Sequence, residues 1–131
     1  MSPIAGVGGY PPEEVTERDR AVAFVKKLPP TIRVGVYDFA IEQWDSCTAM
    51  GRHRWGECSV SEMHIGIQRD MPSRIKAADT FSHEVMHATY WAFGISDDDK
   101  EERTVNLMAS GMLCVYRDNP WLLDWLKEAV S

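Results

Sequence analysis

His83-Glu84-Val85-Met86-His87 sets two imidazoles four residues apart with a carboxylate beside the first. On a helix, residues four apart share a face, so both rings can bind one zinc ion while Glu84 stands one step round, beside the metal's water. Zinc lowers the pKa of such a water towards about 7 and polarises a carbonyl, and a neighbouring carboxylate can act as general base. The chemistry implied is hydrolysis, with Glu84 taking a proton from the water and returning it to the leaving amine. With four His and ten Glu among 131 residues, chance placement would produce this pattern about 0.01 times.

A catalytic zinc site uses three protein ligands and keeps its fourth position open. The other two histidines, His53 and His64, both lie upstream, so the third ligand is expected to be a downstream carboxylate. Glu101 and Glu102 are the candidates. His87 lies seven residues before Gly94 and Glu102 five after Asp97, about 10 Å and about 8 Å along two helices joined as a hairpin, so their heights match to within a turn. Glu102 shares a stripe with Val105, Asn106, Ala109, Leu113 and Tyr116, and Glu101 one with Val105, Met108 and Met112. The stripes alone do not choose between them. Tyr90 shares a helical face with positions 83 and 87 and is a candidate to stabilise an oxyanion, in competition with Tyr37, Tyr116 and His64.

The elements that must position these groups follow from patterning. Residues 1–11 mix Gly and Pro with isolated apolar residues and read as a flexible arm before a single domain over 12–131. A first helix runs from Pro12 until Pro29-Pro30 stops it, with Val15, Val22, Phe24, Val25 and Leu28 as its apolar face. Thr31–Tyr37 alternates as a strand with Ile32, Val34 and Val36 on one side; residues 38–57 read as a connection with one more strand; Val60–Gln68 alternates again with Met63, Ile65 and Ile67 inward. Asp70-Met71-Pro72-Ser73 opens a helix over Arg74–Phe93 that Gly94 ends. Asp97–Asp99 suit the N-terminus of a third helix running to about Arg117. Asp118-Asn119-Pro120 then opens a fourth, with Trp121, Leu122, Trp125, Leu126 and Val130 as its stripe. Helix, strands, then three helices make an α+β class with segregated elements.

Composition bounds the partners. Fourteen Lys+Arg against 20 Asp+Glu give a charge of −6, which argues against a site for a phosphate backbone. The basic group Arg52-His53-Arg54 reads as a solvated loop and the five Trp as core and docking residues. No apolar run approaches the roughly 18 to 20 residues of a membrane span. Cys47, Cys58 and Cys114 form no CxxC pair and no signal-peptide leader is evident, so a reducing, cytoplasmic setting with free thiols is expected. A second zinc site from Cys47, His53, Cys58 and His64 would match no common spacing.

Glu102-Arg103-Thr104-Val105-Asn106 resembles the E-x-x-[A/S]-[D/N] motif of gluzincins, zinc peptidases with H-E-x-x-H and a glutamate on the following helix. The resemblance implies a minimal zincin-like fold with one zinc per chain on His83, His87 and Glu102, and Asn106 hydrogen-bonded to a ligating imidazole. Val105 replaces the small residue of the motif and Asn the commoner Asp. The pattern also resembles small metallopeptidase-like proteins of bacteriophages and prophages in Gly56, Cys58, Ile65, Ile67 and Arg117-Asp118-Asn119-Pro120, over roughly Trp55 to Leu126. That likeness implies a zinc metalloendopeptidase of the host cytoplasm acting on a protein or peptide. In zincins the strand before the active-site helix is typically an edge that binds extended substrate, and Glu62–Gln68 is its match. The alternative is a zinc-binding scaffold without catalysis, against which the carboxylate of Glu84 counts. Action on DNA-bound proteins is a third reading, disfavoured by the acidic charge and the missing third His.

Overall fold

The computed structural model describes residues 14–45 and 54–131. The arm at 1–11, Cys47, Arg52 and His53 lie outside the described residues. Helix α1 (Glu17–Lys26) begins five residues later than its proline signal suggests. Thr16 Oγ1 accepts from the Asp19 N–H and Asp19 Oδ2 accepts from the Thr16 N–H, each at 3.0 Å, and this reciprocal cap fixes the start. Val15 therefore precedes the helix and is exposed, while Ala21, Phe24 and Val25 form the buried face.

Strand β1 (Thr31–Val34) is shorter than its alternation implies, because Gly35 turns the chain at φ 63. A positive φ at the first of two turn residues matches a hairpin that leads straight into β2 (Tyr37–Trp44). Val36 consequently sits on the turn, 76% exposed, rather than on the inner face. The 38–57 stretch contributes to two strands instead of one, β2 and β3 (Gly56–Ser59). β4 (His64–Gln68) starts later than Val60, since residues 60–63 turn and Met63 takes a φ of 57.

The sheet order is β1-β2-β4-β3, with antiparallel outer pairs and a parallel central pair of β2 and β4. This corrects the expected edge. β4 is hydrogen-bonded on both sides, and the turn at 60–63 folds β3 outside it, so β3 is the outer strand next to the helices. The register also separates two proposed zinc ligands. Ser59 stands opposite His64 and Cys58 opposite Ile65, so His64 and Cys58 point to opposite faces.

Helix α2 (Arg74–Ala92) is capped by Ser73, whose hydroxyl accepts from the Lys76 N–H at 3.0 Å, and Gly94 closes it at φ 68. Helix α3 (Glu101–Asp118) starts later than Asp97, because Ser96 donates its N–H to Asp99 and residues 96–99 form a turn of their own. Helix α4 (Pro120–Ala129) buries Leu122, Trp125 and Ala129, and Val130 falls just past its end, exposed.

One core joins these layers: Ile32, Val34, Phe39, Ile65 and Ile67 of the sheet against Phe24, Phe81, Val85, Ala88 and Trp125 of the helices. Phe24 stacks on Trp125 at 4.0 Å, and the Trp125 indole donates to the Phe24 carbonyl at 2.8 Å. Asn119, buried between α3 and α4, accepts from the Arg33 N–H and donates to the Arg33 and Val115 carbonyls. It thereby acts as a substitute strand partner for β1. The result is an α+β fold of four helices and a four-stranded mixed sheet. Among the described residues no helix is long and apolar enough to cross a membrane.

Candidate metal centre

The α2 helix runs without Pro or Gly through His83 and His87, and its apolar residues Phe81, Val85 and Ala88 turn into the core. That leaves both histidines on the outer face, exposed, with their Nε2 atoms 3.1 Å apart and their rings at 77°. A tetrahedral zinc with Zn–N bonds of about 2.0–2.1 Å places two ligating nitrogens about 3.3–3.4 Å apart. The observed spacing fits that geometry within a small ring rotation. His83, Glu84 and His87 each offer a ligand-type atom within 4.8 Å of the others, and they form the one such group of three among the described residues.

Glu84 differs from its neighbours in being buried, at 8% exposure. Its flank is the start of β3, where a Cβ added at Gly56 would come within 2.8 Å of Thr80 Cγ2 and 3.3 Å of Glu84 Cγ. Only glycine permits this approach of strand to helix. Burial holds the Glu84 carboxyl above the usual range; His83 and His87 pull it down, Glu57 pushes it up and Arg54 pulls it down. A raised carboxyl accepts and releases a proton more readily near neutrality than an exposed one. Nearby, His64 and Glu57 pair at 2.7 Å, and the half-buried Cys58 thiol is pushed up to about 11 by burial and by Glu84 and Glu57. Such a thiol is unreactive.

On the other side of the histidines a cavity of about 510 Å³ is walled by His83, Met86, His87, Tyr90, Asp97 and Met108. Tyr90 is thus brought to the site, where its hydroxyl donates to Asp97; that bond, burial and the negative charge of Asp97, Asp99 and Asp98 push the phenol up to about 12. Its competitors are engaged elsewhere: Tyr37 packs on Trp91, Tyr116 against the core and His64 on Glu57. Glu102 and Asn106 are exposed on α3, outside the His83–Glu84–His87 group, and Asn106 hydrogen-bonds neither imidazole. Helices α2 and α3 touch at Thr89 and Met112, ten residues beyond Glu102 and so about 15 Å along the axis.

Asp97 is the carboxylate that sequence reasoning missed. It read as helix-end charge, but the chain reverses at Gly94, the Ile95 N–H returns to the Tyr90 carbonyl at 3.0 Å, and Asp97 comes back over α2. The signal available was its place ten residues after His87, just past a glycine stop. Trp55 was also read as core, yet at 40% exposure it lines a second cavity of about 240 Å³ with Thr80, His83 and Glu84. Compared with models of protein families, with curated proteins and with solved structures, the chain matches none.

Proposed function

We propose that this chain is a zinc-dependent metallopeptidase, with the metal held by His83, His87 and a downstream carboxylate, Glu102 by its likeness to gluzincins. The observation that carries the reading is the pairing of two exposed imidazoles, 3.1 Å apart, with a buried carboxylate one residue along. A site built only to hold metal gains nothing from a desolvated Glu84, since burying an unpaired carboxylate is costly. A bound zinc would act as Lewis acid on a carbonyl and acidify a water.

The chain's own groups supply the remainder. Glu84 takes a proton from the attacking water at a carboxylate oxygen and delivers it to the leaving nitrogen, a transfer that its raised pKa favours. The cavity on the α3 side leaves room for polypeptide beside the histidines. Tyr90, held by Asp97 in the cavity wall, is placed to donate its hydroxyl to an oxyanion once a carbonyl displaces that bond.

The deciding experiment is metal content per chain, by mass spectrometry after repletion, for wild type, His87→Ala, Glu102→Ala and Asp97→Ala. One zinc in wild type and none in His87→Ala is expected, with a marked loss in Glu102→Ala. Loss in Asp97→Ala instead would transfer the third position to the α2–α3 connection. Absence of zinc from the wild-type protein would end the metallopeptidase reading.

A further inference from the structure

Two cavities lie against α2 on either side of His83, and their walls differ in chemistry. Towards the N-terminus the smaller one carries Lys76, Asp79, Thr80 and Trp55. Towards the C-terminus the larger one, of about 510 Å³, carries the thioethers of Met86 and Met108 and the ring of Tyr90. Met86 is 47% exposed although nothing in the core needs it, and its side chain forms part of this wall. From Asp79 to Met86 is seven residues of helix, about 10 Å, which is the span of three residues of extended chain. An extended polypeptide lying along α2 with a carbonyl at His83 would therefore offer one side chain to each cavity.

We infer that the Met86–Met108–Tyr90 cavity is the subsite for a large aliphatic or aromatic side chain next to the scissile bond. This rests on the peptidase reading and adds a substrate class to it. Apolar walls reward burial of an apolar group in proportion to area. Unbranched thioethers adapt to different shapes, so leucine, methionine and phenylalanine are all accepted. A charged side chain is disfavoured there, because Asp97 already forms a hydrogen bond with Tyr90 and the methionines offer no partner. The cavity opposite has Lys76 and Asp79 for polar side chains, so a substrate enters in one direction.

Binding of N-acetyl-leucine hydroxamate and N-acetylglycine hydroxamate to the zinc-loaded protein, measured by calorimetry, tests the assignment without turnover. The leucine compound is expected to bind about tenfold more tightly, as partial burial of one aliphatic side chain gives. In Met86→Ser, an exposed position whose substitution leaves the core intact, the ratio should fall to within about twofold; Met108→Ser serves as the second variant. Equal affinity in wild type, discrimination unchanged in both variants, or no binding of either compound by protein holding one zinc would each overturn the subsite. Discrimination by a protein that hydrolyses no member of a peptide library would uphold the subsite and sink the peptidase reading. Hydrolysis with no apolar preference would do the reverse.

Discussion

On its sheet side α2 is fixed by contacts at van der Waals distance, whereas on its α3 side it fronts open space. Thr80, Glu84 and Ala88 are buried, and β3 presses on the helix at Gly56. Across the same helix His83, Met86 and His87 are exposed, and the cavity they border is closed by a turn at 96–99 and by Met108. The proton-handling group is thus set in the rigid half, and the metal-binding and substrate-facing groups in the adaptable half. A base must hold its position to within a fraction of an ångström, while a wall that admits polypeptide must leave space.

The largest effect expected from this division is chemical. Glu84→Gln should reduce peptide hydrolysis by about 10²–10⁴-fold with zinc content unchanged, the range for loss of a general base. Equal cleavage rates in the two proteins would place the base elsewhere. Next comes the packing on which the rigid half depends. Gly56→Ala puts a methyl 2.8 Å from Thr80 Cγ2 and 3.1 Å from the Gly66 carbonyl oxygen, and overpacking of this kind costs about 1–3 kcal/mol. A drop in Tm of about 5–10 °C with weakened hydrolysis is expected; an unchanged Tm would mean that β3 can shift and that the two sides are less unlike than they look.

Away from the site, Asn119→Ala removes three hydrogen bonds that join β1 to the α3–α4 junction. The cost should be about 1–3 kcal/mol, seen by denaturant unfolding, with zinc content unaltered. The smallest effect concerns α1. Arg74 donates its backbone N–H and its Nε–H to Glu17, and these bonds hold the Glu17 carboxyl below its usual value. A depressed carboxyl contributes stability above its unfolded pKa of about 4.3 and loses that contribution as pH falls through the lower folded value. The Tm gap between wild type and Glu17→Gln should therefore be full at pH 6 and close on acidification below about pH 4. A gap independent of pH would assign the effect to helix capping rather than charge.

The sequence was most legible where structure is local. The α2 helix, its Ser73 cap, the facing of His83 and His87, and the class of fold follow from periodicity and caps within one element. What failed was non-local. Val36 has the alternation of a strand residue, but the turn at Gly35 overrides it. Whether β4 or β3 is outermost depends on which strands pair across more than twenty residues, and alternation within β4 carries no such information. The same limit applies to the site. Two ligand positions are set by one helix, while the height of Glu102 above them depends on how α3 crosses α2, and the contact at Thr89 and Met112 lies well past the simple hairpin estimate.

The clasp by Asn119 bears on how this protein meets other chains. An open sheet offers two rims to which a foreign strand can add, and each is a route to self-association. On β1 the Arg33 N–H and carbonyl are occupied by a side-chain amide that has no following residues to propagate the ladder. Among the described residues, strand addition is thereby confined to the rim formed by β3, next to Glu84 and the two histidines. Suppression of polymerisation at one rim and admission of polypeptide at the other are then two outcomes of one asymmetry, and a chain that docks by backbone pairing arrives at the metal side.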